Sequence, residues 1–183
     1  MPISVRLIVL LLVGVAATGC DRQKEQAPQA PLGQVPAGKG IDRSHKGEMA
    51  PAATFKTPDG GESSIAAFAG APVLVNLWAT WCGPCIKELP TLEALGRKEG
   101  ALKVVAISQD DRPQATVNAF LAEKKIGRFA AFHDQDMALA SAMGVQILPT
   151  TILFDGAGKE VWRFTGDLDW SGAEAATLLA EAR

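Results

Sequence analysis

The chain has 183 residues, 48% of them hydrophobic and 21% charged, with a formal net charge of -2. That length suits one globular domain with a shorter targeting and linking segment, and the composition excludes an intrinsically disordered chain. A charge so close to zero supplies no long-range attraction to nucleic acid or to an anionic membrane surface, so neither is expected as a partner on electrostatic grounds.

The N-terminus reads as an export signal. Met1 to Arg6 carries one basic side chain, and Leu7 to Ala17 is an apolar run much shorter than the ~20 residues that span a bilayer. The run ends in Ala17-Thr18-Gly19-Cys20, which resembles a bacterial lipobox, with Ala17 standing where leucine is usual. On that reading residues 1–19 are removed and Cys20 is acylated. An unmodified Cys20 would be a free thiol in an oxidising compartment, which favours the lipid, and Asp21 resembles an inner-membrane retention signal. The alternative is an ordinary small-residue cleavage site and a soluble periplasmic protein. Residues 20–47 are rich in Gln, Pro, Ala, Gly and Lys without hydrophobic periodicity, which predicts an extended, flexible tether.

The folded domain is expected over 48–183. Ala53 to Lys56 and Glu62 to Ile65 flank Thr57-Pro-Asp-Gly-Gly61, which predicts a β-hairpin, with a helical turn over Ile65 to Phe68. Val73 to Trp78 is a nearly continuous apolar run, expected as a central strand covered on both faces, with Asn76 its one polar member. Pro84 to about Lys98 carries Leu89, Leu92 and Leu95 at helical spacing, with Pro90 inside it as a kink. A second buried strand over Leu102 to Ser108 and a helix over Pro113 to Lys125 follow. Asp110, Asp111 and Arg112 lie between them in a polar turn and are assigned no role. A short strand at Phe129 to Phe132, a helix over Met137 to Met143, a hairpin of Thr151 to Phe154 with Val161 to Phe164, and a last helix over Ser171 to Ala182 complete the pattern. Strands alternating with helices and then pairing in a hairpin predict an α/β fold with a mixed sheet flanked by helices.

The three cysteines, Cys20, Cys82 and Cys85, are too few for a disulfide framework. Cys82-Gly83-Pro84-Cys85 falls where a buried strand hands over to a helix. Unpaired N–H groups and the partial positive charge of a helix N-terminus stabilise a thiolate there. Cys82 is therefore the expected nucleophile, nearer solvent, and Cys85, one turn on, the resolving thiol. Gly83 leaves room for a bulky substrate, and Pro84 fits the first helical turn, where no N–H is needed. A zinc site is disfavoured, since Cys20 lies across the tether and His45 and His133 lack ligand spacing.

Around this motif the sequence resembles the thioredoxin superfamily, and within it the TlpA/ResA-like branch of membrane-anchored bacterial thiol-disulfide oxidoreductases. The resemblance covers about residues 49–183. It is strongest over Val75-Asn-Leu-Trp-Ala-Thr-Trp-Cys-Gly-Pro-Cys-Ile-Lys-Glu-Leu-Pro90 and Gly144-Val-Gln-Ile-Leu-Pro-Thr-Thr-Ile-Leu-Phe-Asp155. It implies a thioredoxin-like fold carrying the added N-terminal hairpin. Pro149 matches the family's cis-proline, with Leu148 and Thr150 shaping substrate recognition on either side. Glu88 matches a glutamate of this branch that, if buried near the sulfurs, would relay the proton of Cys85. Asn76 stands where thioredoxin has a buried aspartate, so that relay does not carry over. Trp81 is expected beside the site, limiting water access to Cys82, whereas Trp78 reads as core.

The resemblance further implies a reductase, on the periplasmic face of the inner membrane, of disulfides in a few extracytoplasmic proteins, of the cytochrome c maturation or oxidase copper-site assembly type. A membrane thiol reductant of the CcdA or DsbD type would re-reduce it, with the Cys82–Cys85 pair as the redox group and no separate cofactor or metal. Alternatives are a disulfide oxidant or isomerase, a copper-binding assembly factor using the two cysteines with His133, and a peroxidase. The Gly-Pro dipeptide weighs mildly against the oxidant, and the paired cysteines weigh against the peroxidase.

Overall fold

A computed structural model describes residues 39–182 apart from Glu99 and Ala101. The expected signal peptide (1–19), the lipidation site Cys20 and the tether as far as residue 38 lie outside the described residues. No helix among the described residues is long and apolar enough to cross a membrane.

The described chain forms an eight-stranded mixed sheet. Its strands are β1 (Gly40–Asp42), β2 (Thr54–Lys56), β3 (Glu62–Ser64), β4 (Val73–Trp78), β5 (Lys103–Ser108), β6 (Phe132–His133), β7 (Thr150–Phe154) and β8 (Glu160–Thr165). The helices are α1 (Gly83–Gly96), α2 (Gln114–Lys124), α3 (Ala138–Ala142) and α4 (Ala173–Leu179). Spatial order is β1-β8-β7-β4-β5-β6-β2-β3. β4, β5 and β6 run parallel, as strands joined by helical crossovers must. β7 and β8 are antiparallel additions on the other side of β4, and β2 with β3 forms the hairpin at the far edge.

β4 lies at the centre of the sheet and every one of its residues is buried. Alternation sends its side chains to two cores. Leu74 and Trp78 join Leu89, Leu92, Val117, Leu153 and Trp162 on one face. Val73, Val75 and Leu77 join Ile107, Leu139, Ile152 and Phe154 on the other. A strand sandwiched in this way reads in sequence as a near-continuous apolar run, which is why Val73 to Trp78 was legible. The two core tryptophans each satisfy their indole donor on a backbone carbonyl: Trp78 Nε1 donates to Ala130 O and Trp162 Nε1 to Leu178 O.

Four expectations need correction. Residues 40–47, read as tether, belong to the folded domain: β1 pairs antiparallel with β8, and Gly47 N donates to Glu160 O. A three-residue edge strand is held by backbone bonds and leaves no hydrophobic period to read. The last helix is shorter than expected, because Gly172 caps it and only Ala173–Leu179 is helical. The strand expected at Phe129 to Phe132 divides into a 3-10 turn over Arg128–Ala130 and a two-residue strand, Phe132–His133. The helix expected over Met137 to Met143 is confined to Ala138–Ala142, with Met137 left-handed at its cap.

β8 carries a buried ion pair. Arg163 Nε and Nη2 donate to the two carboxylate oxygens of Glu160, at 2.7 Å each, and Nη1 donates to Met143 O. Removing one partner would leave a buried charge unpaired. Arg163→Met is therefore expected to lower stability by about 3–5 kcal/mol, whereas Arg163→Met with Glu160→Leu should be near neutral. Urea denaturation of the two variants checks this, and equal losses in both would contradict it.

Candidate active site

β4 ends at Trp78, and the chain turns through Ala79, Thr80 and Trp81 into α1, with Cys82 as the helix cap. Cys82 and Cys85 are joined in a disulfide. The Cys85 backbone N–H donates to Cys82 Sγ at 3.3 Å, and Cys82 N donates to Ala79 O. Cys82 sulfur thus meets an N–H of the first helical turn, where the helix dipole also favours negative charge, and both effects stabilise a thiolate once the bond is reduced. Pro84 occupies the first turn without wasting a donor. A Cβ at Gly83 would meet nothing within 4 Å. Cys82 is the more exposed of the two cysteines, yet only 6% exposed, against 0% for Cys85. Trp81, by contrast, projects outward at 69% exposure.

The turn before the cysteines is fastened from β5. Asp110, which follows that strand, is buried and accepts hydrogen bonds from Thr80 N at 2.9 Å, from Thr80 Oγ1 and from Ser108 Oγ. Sequence reasoning assigned Asp110 no role, because a polar residue after a strand ordinarily marks a solvated turn. Its partner Thr80 is thirty positions away, and no local spacing announces the pair. The same segment claims His133, whose Nε2 bonds Asp110 O from a buried position. His133 is thus engaged as a structural residue of β6.

Glu88 is one turn beyond Cys85 and 2% exposed. Its Oε1 accepts from Asn76 Nδ2 at 2.7 Å, and its Oε2 accepts from Leu168 N at 3.0 Å and Trp170 Nε1 at 3.2 Å. Loss of water around the buried carboxyl pushes its pKa up from 4.5 to about 7, against the lowering effect of these three donors, and the negative charge of Asp167 adds to the rise. Leu168 and Trp170 come from the loop after β8 and carried no sequence signal. Asn76 also donates to Thr151 Oγ1 at 2.9 Å, across the β4–β7 register.

Leu148, Pro149 and Thr150 reach the same end of the sheet through that register. β7 runs antiparallel to β4 and opens with Thr150 opposite Leu77, so the residues before it lie where β4 delivers the cysteines. The Leu148–Pro149 peptide bond is cis. Pro149 O accepts from Gly166 N at 2.8 Å, and Gly166 sits at φ +98°, a conformation that favours glycine. Leu148 packs against the core that holds both cysteines, and Thr150 Oγ1 donates to Ile147 O. The structure therefore brings together Asn76, Cys82, Gly83, Pro84, Cys85, Glu88 and residues 148–150. His45 is elsewhere, paired with Glu48. Among the described residues no group of three or more His, Cys, Asp or Glu side chains is placed to hold a metal ion.

Comparison with known proteins bears on the family and the fold. The Redoxin family profile matches residues 45–179. The thiol-disulfide oxidoreductase ResA of Halalkalibacterium halodurans is 30% identical over 131 residues, 69% of this chain and 73% of that protein. The thiol:disulfide interchange protein HelX of Rhodobacter capsulatus is 28% identical over 162 residues, 88% of this chain and 86% of that one. Among solved structures, a candidate thiol:disulfide interchange protein DsbE from Chlorobium tepidum superposes with a TM-score of 0.65 at 25% identity, covering 75% of this chain and 98% of its own.

A raised carboxyl pKa makes stability pH-dependent. At pH values between 4.5 and about 7 the folded state binds the Glu88 proton that the unfolded chain releases, so stability falls as pH rises through that window. The stabilisation is complete below 4.5 and gone above about 7. Relative to Glu88→Gln, the wild type should lose on the order of 3 kcal/mol across the window. Denaturant melts of the disulfide-intact proteins over pH measure this, and parallel curves for the two would show that Glu88 titrates normally.

Proposed function

The chain belongs to the Redoxin family and is a thiol-disulfide oxidoreductase with a thioredoxin-like fold, and from that premise we propose that it works as a reductase of disulfides in extracytoplasmic proteins. The observation that carries the reading is the Cys82–Cys85 pair at the start of α1, with a buried, protonatable Glu88 one turn behind it.

In the reduced enzyme the Cys82 thiolate attacks one sulfur of the substrate disulfide. A mixed disulfide forms and the other substrate sulfur leaves as thiolate. Cys85 then gives its proton to Glu88, and its thiolate attacks Cys82 Sγ. The Cys82–Cys85 bond closes, the second substrate thiolate departs, and two electrons have passed to the substrate. Trp81 and the 147–150 segment, with Ile147 also exposed, offer apolar surface beside the mouth of the site. Backbone groups around Pro149 suit an extended substrate strand.

A reductase in an oxidising compartment must itself be re-reduced, so a membrane thiol carrier of the CcdA or DsbD type is the proposed electron source. Cytochrome c maturation or oxidase assembly is the proposed pathway. The apolar N-terminus and Ala17-Thr18-Gly19-Cys20 support attachment to the periplasmic face of the inner membrane through lipid on Cys20. The copper-binding alternative loses its third ligand, since His133 is buried and engaged by Asp110 O.

Redox titration of the full-length chain, with Cys82→Ser as control, tests the direction. A midpoint below about -240 mV is expected of a reductase, and one above about -180 mV would make the protein an oxidant or isomerase. For the anchor, metabolic labelling with a radioactive fatty acid should mark the wild type and not Cys20→Ala. Equal labelling, or none in either, would return Cys20 to a plain residue after a cleavage site.

A further inference from the structure

All three partners of the Glu88 carboxylate are donors: Asn76 Nδ2, Leu168 N and Trp170 Nε1. That set fits the ionised group. A protonated Glu88 carries an O–H that, being buried, needs an acceptor, because an unpaired buried donor is destabilising. Backbone N–H and indole N–H cannot accept. Asn76 can, because rotating its side-chain amide by half a turn exchanges Nδ2 for Oδ1.

One detail lowers the cost of that rotation. Asn76 Oδ1 is buried and has no hydrogen-bond partner. The side of the amide turned away from Glu88 therefore holds no bond that rotation would break, and reversal places the unpaired NH2 group there in exchange for a paired O–H on Glu88. On the near side, Thr151 Oγ1, which accepts from Nδ2 at 2.9 Å, is a hydroxyl and can turn to donate instead. Both arrangements then satisfy the same pair of neighbours.

We propose that Asn76 is a proton-coupled positioning residue: its amide presents Nδ2 to the Glu88 carboxylate, and reverses when Glu88 gains a proton so that Oδ1 accepts from both Glu88 Oε1–H and Thr151 Oγ1–H. One proton is added to Glu88 Oε1, its charge goes from -1 to 0, and otherwise only hydrogen bonds are exchanged. The charged neighbour in play is Asp167, which Lys39 and Lys87 partly neutralise by ion pairing. The cysteines, being disulfide-bonded, do not titrate. The significance for turnover rests on the reading of Glu88 as acceptor of the Cys85 proton, since the reversed amide would then stabilise the very state that follows deprotonation of the thiol.

The test is NMR on the oxidised, full-length chain labelled with 13C and 15N, where neither the direction of electron flow nor the substrate enters. The scalar coupling across the hydrogen bond from Asn76 Nδ2 to Glu88 Cδ should be present at about pH 9 and absent at about pH 5, on either side of the carboxyl titration. Its loss should track the Glu88 Cδ shift, and in Glu88→Gln the Asn76 amide signals should no longer change with pH. A coupling that persists below the titration, one absent at every pH, or an Asn76 amide that still titrates in Glu88→Gln would overturn the proposal. None of these outcomes bears on the measured potential, so the reductase reading stands or falls separately.

Discussion

The burial of one carboxyl group organises this molecule. Glu88 projects from α1 into a space that water does not reach, and it is met there by donors from two other parts of the chain: Asn76 in β4, and Leu168 with Trp170 in the loop after β8. Burial opposes ionisation and the donors favour it, and the balance leaves the group near pH 7. The loop that supplies two of those donors is itself held by Gly166 N on Pro149 O and by Trp170 N on Thr91 Oγ1. The cis-proline segment, α1 and the loop after β8 thus converge on a single titratable side chain.

The same economy governs the cysteines. α1 must begin immediately after a strand that is buried on both faces, so the turn between them has little room to vary. Asp110 removes what freedom remains by accepting three hydrogen bonds from Thr80 and Ser108. Cys82 then caps the helix with its sulfur toward the Cys85 N–H. The antiparallel register of β7 against β4 brings residues 148–150 to that end of the sheet with no further machinery. Cys82, at 6% exposure, lies beside Gly83, which presents no side chain, and the exposed Trp81.

Much of this was legible in the sequence where physics acts locally. Val73 to Trp78 and Leu102 to Ser108 announce buried strands by their mostly apolar character. Leu89, Leu92 and Leu95 announce α1 by their spacing, and Trp81-Cys-Gly-Pro-Cys85 announces a helix that starts on a thiol. What escaped notice depends on contacts between distant positions. β1 adds to the sheet through backbone bonds flanked by the Lys39–Asp167 and Arg43–Glu181 ion pairs, and Ile41 faces outward, so no hydrophobic pattern separates it from the preceding tether. Asp110 reads as a turn residue until the fold brings Thr80 to it. Leu168 N and Trp170 Nε1 become ligands of Glu88 only through a loop whose course depends on the placement of β8 and α4.

The departure from thioredoxin at position 76 has its own physical reason in this arrangement. With Glu88 Oε1 at 2.7 Å from the side chain of residue 76, an aspartate there would set two carboxylates in contact in a dry site. One of the pair would have to stay protonated, and the affinities of both would be driven apart. An amide removes that conflict while keeping a polar partner for Glu88 and for Thr151. Moving the acid from the strand to the helix also places it on the same element as Cys85, one turn further along α1. Glu88 and Asn76 are therefore best understood as a matched pair: the choice of a glutamate in the second turn of α1 is what requires a neutral residue in β4.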